Sequence, residues 1–434
     1  MSKLRVTDYI ANFIFNKGIE EVFMLTGGGA MFLSDGVAKH PQLKAVCNHH
    51  EQACAMAADG YSRVSGKTGV AVTTSGPGAT NLITGICCSY YDSIPSLFIT
   101  GQVSTMRMKG DTGVRQIGFQ ETPIVDIAEE ITKYAYTIVD PEEIKYQLQK
   151  ALHIAKSGRP GPVLIDIPDD LQRQLVDPLK LKNFQAPLAQ ELPHLKNSLQ
   201  DTLDSIMNSK RPILIAGWGV HLSDTEAEFL KFAESFNIPI ALTWGAADLI
   251  PFDHDLYVGT FGTHGNRHAN FAVQNADLII SLGSRLDTKS TGSPINTFAR
   301  EARKIMIDID INELNKFQYF DLKFDQLIHC DLRDFFNNFS KLEPTKDTCN
   351  NLEWLKQINK WKHQFISFDD TKGIATTKVN PYNFVDSISN NLKGNEQIFI
   401  DTGCSIAWFM QSIKVKDSIR IFHDFNKWKK LISL

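Results

Sequence analysis

Residues 69–81 read GVAVTTSGPGATN, and this stretch decides the fold class. Its first part is an uninterrupted run of apolar and β-branched residues, which is typical of a strand buried on both faces. The run breaks at SGPG, residues 75–78, and continues as ATN, which predicts a tight turn followed by a helix. A buried strand, a glycine turn and a helix in this order indicate a parallel α/β sheet.

The same alternation extends in both directions from this stretch. Between Glu21 and Pro168, helix-like segments separate the strand-like runs EVFML, KAVCN, SLFITG, YAYTIV and GPVLIDIP. A second series contains PILIAGWG, IPIALTW, ADLIISLGSRL, KIMIDIDI and DQLIHCDL, and a third contains YNFVDSISNNL, EQIFIDTG and RIFHDF. We therefore predict an α/β protein with tandem doubly wound parallel-sheet domains, each sheet covered by helices on both faces.

The three series also predict the domain boundaries. The expected order is an α/β domain over 1–170, a linker over 171–195, a second α/β domain over 196–338, a helical linker over 339–378 and a third domain beginning at 379. The first linker is expected to be extended, because residues 171–195 contain three prolines and no clear hydrophobic period. Residues 379–434 are fewer than the roughly 100–150 that such a domain normally needs, so we expect its truncated start. The final KWKKLISL has the appearance of read-through after a frameshift.

Composition and charge exclude several classes of protein. The 434 residues, 43% hydrophobic and 22% charged, are typical of a folded globular chain and not of a disordered one. With 45 basic against 49 acidic residues and no basic block, nucleic acid is not an expected partner. The sequence has no 18-residue apolar run, no signal peptide and no regular spacing of its seven cysteines. We therefore expect no membrane association, no disulfide framework and a cytoplasmic location.

The first candidate site residue is a carboxylate at the start of a helix. In KAVCNHHEQACAMAADGYSRVSG, Glu51 follows a short strand and opens an alanine-rich helix. Its side chain would then lie at the carboxyl end of a parallel strand, where open sheets bind ligands. The alternative is that Glu51 only stabilises the first helical turn through the helix dipole. The alanines and Gly60 would let another helix approach closely, as at a tight subunit or domain interface.

Two further segments are candidate ligand contacts. The glycines of residues 75–78 would allow a ligand to lie against the backbone beside the free N–H groups of the next helix, although a tight turn without a ligand is the simpler explanation of this motif alone. In VRQIGFQETP, a ligand could be met by Gln116, Phe119, Gln120 or Glu121, and a solvated loop is the simpler explanation.

Several of these motifs together resemble a known family. The segments HHEQACAMAADGYSRVSG, TSGPGATN, FITGQ and GFQE, in this order, resemble the pyrimidine-binding domain of thiamine diphosphate enzymes, and in particular of the acetolactate synthase group. The segments GTFGTHGNRHANFAVQNADLIISLGSRLDTKSTG and KIMIDIDINELNK resemble the central domain of the same group. The likeness runs over roughly residues 3–425. It implies a pyrimidine-binding domain, a central domain and an incomplete diphosphate-binding domain.

The resemblance also implies a cofactor and a role for each candidate residue. Thiamine diphosphate would supply the electron sink for decarboxylation of a 2-keto acid such as pyruvate and for carboligation of the product, a transferase or lyase reaction. Glu51 matches the family's catalytic glutamate, which binds N1′ of the aminopyrimidine ring and must be shielded from water. The other residues that the resemblance places at the cofactor are Gly76, Pro77, Gly78 and Asn81 beside the aminopyrimidine and Phe119 and Gln120 near the mouth of the site.

The sequence departs from the family where the diphosphate should bind. Family members hold the diphosphate and its Mg²⁺ through a Gly-Asp-Gly motif and a later asparagine, and no Gly-Asp-Gly occurs in this chain. Mg²⁺ needs oxygen ligands in an octahedron, and the family's motif supplies them. Since this motif is missing, the sequence predicts no metal ligand in this chain. The alternative function is therefore a catalytically inactive fragment, or a regulatory or partner subunit of a longer homologous enzyme. The family's active site implies a homodimer or tetramer, or association with a full-length homologue.

The second domain offers weaker candidates. Gly217-Trp218-Gly219 resembles a dinucleotide-binding turn, and some relatives of acetolactate synthase bind FAD on this domain, so FAD is a further candidate cofactor. The turn lacks the third glycine of the Rossmann fingerprint, which disfavours an NAD-type oxidoreductase. His264 and His268 have the spacing of a metal pair without an evident third ligand, and Arg285 and Asp287 are expected to form a surface ion pair.

Overall fold

The computed structural model describes residues 3–187, 194–342, 351–366 and 378–423. The chain divides into two units, residues 1–189 and 190–434, and each contains one six-stranded sheet whose paired strands are all parallel. The predicted α/β class with doubly wound parallel sheets is confirmed. Among the described residues, no helix combines the length and the apolar character that crossing a membrane requires.

The first unit alternates strands and helices along the chain. Its strands are β1 (Leu4–Arg5), β2 (Glu21–Met24), β3 (Lys44–Cys47), β4 (Gly69–Thr73), β5 (Ser96–Gln102), β6 (Tyr134–Thr137), β7 (Val163–Pro168) and β8 (Leu175–Val176). Its α-helices are α1 (Val6–Asn16), α2 (Met31–Lys39), α3 (Glu51–Ser65), α4 (Pro77–Thr80), α5 (Ile83–Asp92), α6 (Ile124–Ala128), α7 (Ile144–Lys156) and α8 (Asp169–Gln172). The large sheet has the order β3-β2-β4-β5-β7-β6.

Alternate residues of each inner strand enter the hydrophobic clusters on opposite faces of this sheet. On β5, Leu97 and Ile99 belong to the cluster that contains α1 and α7, whereas Phe98 belongs to the cluster that contains α3 and α5. Because helices cover both faces, neither set of side chains is polar, and the strand appears in the sequence as an unbroken apolar run.

The structure differs from the sequence-based expectation over the first half of residues 171–195. β8 pairs antiparallel with β1, with Leu4 opposite Val176 and Arg5 opposite Leu175. Val176 and Leu181 are buried in the core of the first unit. This part of the segment is therefore attached to the first unit and is not an extended linker, because its apolar residues have a core to enter. Residues 188–193 lie outside the described residues.

The second unit repeats the alternation with another strand order. Its strands are β9 (Pro212–Ala216), β10 (Ile240–Leu242), β11 (Tyr257–Thr260), β12 (Leu278–Leu282), β13 (Arg303–Asp308) and β14 (Gln326–His329), in the order β11-β10-β9-β12-β13-β14. Its helices are α9 (Leu195–Asn208), α10 (Gly219–Leu222), α11 (Glu226–Ser235), α12 (Arg267–Asn275), α13 (Thr288–Thr291), α14 (Ile311–Asn315), α15 (Leu332–Phe339) and α16 (Leu352–Gln364). β11 was not predicted.

The last described segment also belongs to the second unit. It contains α17 (Pro381–Asn391), β15 (Gln397–Ile400), α18 (Cys404–Ser412) and β16 (Arg420–His423), and β15 pairs with β16 in parallel. The carboxylate of Asp248 accepts hydrogen bonds from Nε of Arg420 at 3.0 Å and from the backbone N–H of Ile421 at 2.9 Å. The predicted read-through, residues 427–434, lies outside the described residues.

Candidate functional site

The candidate site lies at the carboxyl edge of the first sheet, where the strand order reverses. β2 lies between β3 and β4, so the segments that follow these three strands emerge side by side. Glu51 begins α3 shortly after β3, and the turn of residues 75–78 follows β4. A parallel sheet binds its ligands at such a reversal point, because the connections leave in opposite directions and open a crevice.

Glu51 is positioned by the cap of its helix and by a hydrogen bond from Asn81. Its side chain is largely buried at the first residue of α3, and the helix begins with the His50 ring accepting the N–H of Gln52 at 3.1 Å. The side-chain amide of Asn81 donates a hydrogen bond of 2.9 Å to Oε2 of Glu51. No other described residue donates a side-chain or backbone hydrogen bond to this carboxylate, so Oε1 is available to a ligand.

A glycine lines the space beside the carboxylate. A Cβ atom on Gly78 would lie 3.4 Å from Oε1 of Glu51 and 2.5 Å from Cγ2 of Thr74. Thr74 also abuts Gly27, whose Cβ would lie 2.5 Å from the same methyl group, and its hydroxyl accepts the N–H of Gly29 at 2.9 Å. The sequence analysis missed Thr74 and this second glycine segment. The run Gly27-Gly28-Gly29 directly after a buried strand was the available signal.

Gln120 covers the glycine turn from the other side. Gly76 has a φ of +62°, and a Cβ there would lie 2.9 Å from Cβ and 3.1 Å from the backbone oxygen of Gln120. Pro77 opens α4 as the first helical residue, where its missing N–H is harmless. Five of the predicted site residues therefore gather in one place, whereas the side chain of Phe119 is 86% exposed. The five that gather are Glu51, Gly76, Gly78, Asn81 and Gln120.

The loop that carries Gln120 is organised around a buried carboxylate. Glu121 accepts hydrogen bonds from the backbone N–H groups of Lys109, Ile117 and Gly118, and Gln116 donates to its backbone oxygen at 2.9 Å. Burial alone would raise the pKa of Glu121, but these N–H donors lower it below its usual value. The solvated-loop explanation is therefore wrong for Glu121, because the loop folds around its charge.

The small residues of α3 allow this helix to pack closely against α5 within the first unit. A Cβ on Gly85 of α5 would collide with Cβ of Ala55, so the two helices cross with almost no space between them. Ala55 and Ala58 are both buried. This close approach keeps α3, and with it Glu51, in a fixed position on the sheet.

A buried ion network fastens the same two helices, and the sequence analysis did not find it. Arg63 of α3 binds Asp59 at 2.5 Å and Asp92 of α5 at 2.9 Å, and Ser89 donates to Asp59 at 2.8 Å. Burial alone would lower the pKa of Arg63, but the two carboxylates raise it above its usual value. Asp59 lies one helical turn before Arg63, but Asp92 lies on α5, so only the packing of α3 against α5 reveals the whole network.

The glycines of the Gly217-Trp218-Gly219 turn serve a backbone contact. The N–H groups of Gly217 and Gly219 donate to the carbonyls of Leu282 and Gly283, each at 3.0 Å. A Cβ on Gly217 would collide with the carbonyl oxygen of Gly283. These two N–H groups are thus engaged within the chain, and FAD binding at this turn stays a prediction.

The remaining candidates of the second unit have local roles. Nδ1 of His268 lies 3.3 Å from the carbonyl oxygen of Phe365, and burial lowers the pKa of His268. Asp287 accepts hydrogen bonds from the N–H and hydroxyl of Ser290, each at 2.9 Å, and so caps α13. Across the part of the chain that the structure describes, no three His, Cys, Asp or Glu side chains form a group that could hold a metal ion.

Two family models match this chain. Residues 4–128 match the family model of the thiamine pyrophosphate enzyme N-terminal TPP binding domain, and residues 199–337 match that of the central domain. The candidate site lies within the first match.

Several acetolactate synthases are similar to this chain. The chain is 35% identical to a probable acetolactate synthase large subunit of Methanocaldococcus jannaschii over 414 residues, which covers 92% of this chain and 67% of that protein. It is 34% identical to the acetolactate synthase large subunit of Lactococcus lactis over 408 residues, with the same two coverages. Against acetolactate synthase 2, chloroplastic, of Nicotiana tabacum, the identity is 37% over 317 residues, which covers 71% of this chain and 46% of that protein.

The chain thus spans about half to two thirds of the length of these relatives. The order of the matches is that of the two units described above, with the N-terminal TPP binding domain first and the central domain second. The identities extend well beyond the short motifs around Glu51. The chain belongs to the thiamine pyrophosphate enzyme family, in the group that resembles acetolactate synthase large subunits.

Proposed function

We propose that this chain supplies the aminopyrimidine half of a thiamine diphosphate site that serves decarboxylation and carboligation of a 2-keto acid such as pyruvate. The supporting observation is the carboxylate of Glu51, which is buried at the start of α3 with one oxygen bound by Asn81 at 2.9 Å. The acetolactate synthases among its relatives support the choice of reaction.

The residues present fit a flat aromatic ring beside the carboxylate. Gly78 has no side chain on the side that faces Oε1 of Glu51, where a Cβ would stand 3.4 Å from that oxygen. Gly76 and Gln120 together form a second wall in close contact. When bound there, thiamine diphosphate supplies the electron sink for the loss of carbon dioxide from a 2-keto acid.

The side chains have distinct tasks in this proposal. Glu51 holds or transfers a proton at Oε1, opposite a ring nitrogen. Asn81 donates to Oε2 at 2.9 Å, which fixes the plane of the carboxylate and directs Oε1 toward the ligand. The start of α3 favours the negative charge of Glu51, and burial keeps water away from the transferred proton.

The diphosphate and Mg²⁺ need an anchor besides these residues. The sequence contains no Gly-Asp-Gly, and the described residues include no metal-binding cluster of His, Cys, Asp or Glu. We propose that a longer homologue in the cytoplasm completes the site, because a second copy of this chain would also lack Gly-Asp-Gly. The same observation favours a second candidate function, a binding or regulatory subunit that holds the cofactor's aminopyrimidine without turnover.

Calorimetric titration tests the proposal. Thiamine diphosphate is added with and without Mg²⁺ to the wild-type chain, to Glu51→Gln and to Glu130→Gln, in which the replaced glutamate is exposed in the same unit. We expect Glu51→Gln to weaken binding at least tenfold and Glu130→Gln to leave it unchanged. Equal affinities of Glu51→Gln and wild type would refute the site.

Release of carbon dioxide from pyruvate separates the two candidate functions. Release that depends on Glu51 supports the enzyme. Binding that depends on Glu51 without any release, even at saturating cofactor and Mg²⁺, supports the binding or regulatory subunit.

A further inference from the structure

One buried amide ties together the two ends of the loop that covers the candidate site. Gln102 is the last residue of β5 and is 2% exposed. Its Oε1 accepts the backbone N–H of Val103 at 3.0 Å, and its Nε2 donates to the backbone oxygen of Thr122 at 2.8 Å. A single side chain therefore closes the base of the segment 103–122.

Asp166 sets the direction of this amide. Its Oδ2 accepts from Nε2 of Gln102 at 3.0 Å, while Thr100 donates to Oδ1 at 2.7 Å and Thr137 to Oδ2 at 3.3 Å. An ionised carboxylate can only accept hydrogen bonds, so the NH₂ end of Gln102 must face it. The oxygen of the amide then necessarily points to Val103.

Asp166 is buried without a cation beside it. Asp166 is 1% exposed, and none of the ion pairs found among the described residues involves it. Burial without a cation raises the pKa of Asp166 to about 6, against which its three hydrogen-bond donors act. Removing a carboxylate from water without a counter-ion costs free energy, and the three hydrogen bonds to Asp166 offset part of this cost.

The hydrogen bonds of Gln102 at the base of the loop bear on the candidate site through Gln120. Between its two ends, the loop is shaped by Glu121, and Gln120 lies directly over Gly76 in a left-handed conformation with φ +62°. The start of the loop is fixed as well, because Thr105 donates from its N–H and its hydroxyl to Asp170 at 2.9 and 2.6 Å. A shift at the base of this loop would therefore move Gln120 relative to the glycine turn.

We propose that Gln102, oriented by Asp166, is a positioning residue that fixes loop 103–122 so that Gln120 closes one wall of the cofactor site. This inference rests on the proposed function. Gln102 itself does not touch the ligand. It acts through Gln120, and its effect on affinity must disappear when Gln120 is absent.

Amide hydrogen exchange on the whole chain tests the structural part without any cofactor. We expect Gln102→Leu to accelerate exchange at residues 103–121 at least tenfold. The matched control is Gln147→Leu, which removes a buried amide of the same unit that accepts from the Tyr134 hydroxyl at 2.6 Å. That variant should leave exchange in the loop unchanged. Equal loop exchange in Gln102→Leu and wild type would overturn the proposal.

A double-mutant cycle on thiamine diphosphate affinity tests the functional part. Gln102→Leu and Gln120→Gly should each weaken binding about tenfold, and the double variant should bind no more weakly than Gln120→Gly alone. Losses that multiply would show that Gln102 acts by general destabilisation and would contradict the proposal. Asp166→Asn, nearly isosteric, should shift both readouts in the same direction if Gln102→Leu does not fold.

The two experiments separate the possible failures. If the wild-type chain does not bind thiamine diphosphate, the proposed function fails together with the cofactor part of this inference. The exchange data then still decide whether Gln102 fixes the loop.

Discussion

The side-chain amide of Asn81 lies 2.9 Å from Oε2 of Glu51 and connects the turn after β4 to the first residue of α3. We expect Asn81→Ala to weaken thiamine diphosphate binding roughly tenfold or more, because a hydrogen bond to a charged group contributes about 1.5–3 kcal/mol. Calorimetry measures this affinity, and Asn16→Ala, which removes an exposed asparagine of the same unit, is the control. An unchanged affinity of Asn81→Ala would separate Asn81 from the site.

The close contact between Gly78 and Thr74 predicts that a substitution at Gly78 is destabilising and that a second substitution at Thr74 restores the stability. In Gly78→Ala the new methyl group would meet Cγ2 of Thr74 at 2.5 Å, so we expect about 1–3 kcal/mol of lost unfolding free energy and weaker cofactor binding. Thr74→Ser removes that methyl group but keeps the hydroxyl that accepts from Gly29.

The double variant Gly78→Ala, Thr74→Ser should therefore recover most of the stability in urea denaturation. Gly60→Ala is the control, because nothing lies near the added Cβ in the middle of α3. It should stabilise the unit by roughly 0.5–1 kcal/mol. A double variant as unstable as Gly78→Ala would show that another contact is responsible.

The buried network of α3 and α5 should dominate the stability of the first unit. Arg63→Met leaves Asp59 and Asp92 buried without their cation, so we expect the free energy of unfolding to fall by roughly 3–5 kcal/mol. Lys44→Ala breaks a pair with Glu21 in which the lysine side chain is 72% exposed, and it should change the free energy by less than about 1 kcal/mol. Urea denaturation measures both, and similar losses for the two variants would contradict the network's role.

Asp166 should make the first unit less stable as the pH rises. Its folded pKa of about 6 lies above the ordinary value, so its contribution to stability is present at low pH and is lost as the pH rises through 6. The free energy of unfolding of wild type minus that of Asp166→Asn should therefore fall by about 2 kcal/mol between pH 4 and pH 7. A constant difference would show that folding does not raise the pKa of Asp166.

His221 should cause a loss of stability at higher pH in the second unit. Its Nδ1 lies 2.8 Å from Glu226 and its Nε2 lies 2.9 Å from Asp248, which also binds Arg420. Burial alone would lower the pKa of His221, but the two carboxylates raise it above its usual value. The stabilisation is thus complete below about pH 6.5 and is lost as the pH rises through the raised folded value.

Tryptophan fluorescence can follow this loss, because all six tryptophans of the chain lie beyond residue 190. Urea midpoints of wild type should fall between pH 6 and pH 9, and those of His221→Asn should stay nearly level. A parallel fall in both proteins would assign the dependence to other groups.

Local patterns were sufficient for most of the fold and for the placement of Glu51. The inner strands of both sheets are mainly apolar, and the change from KAVCN to an alanine-rich segment marks the start of α3. β11 was missed because its four residues include Gly259, and β1 and β8 were missed because each is two residues long.

Contacts between distant segments could not be predicted in the same way. The bond between Asn81 and Glu51 exists because β2 separates β3 from β4, and no local pattern states that order. Gln102 ends β5 and Asp166 lies within the otherwise apolar β7, and their pairing depends on β5 lying beside β7. Polar side chains of this kind become informative only when the neighbouring strand is known.

The strand order of the second unit has a consequence for biosynthesis. β9 lies at the centre of its sheet between β10 and β12, and β12 ends at Leu282. A ribosome that has delivered β9, β10 and β11 has therefore exposed one edge of β9 with no partner for it. The unit can close that edge only after residue 282 has left the exit tunnel, so the nascent chain must carry an unpaired parallel edge while the intervening segment is translated.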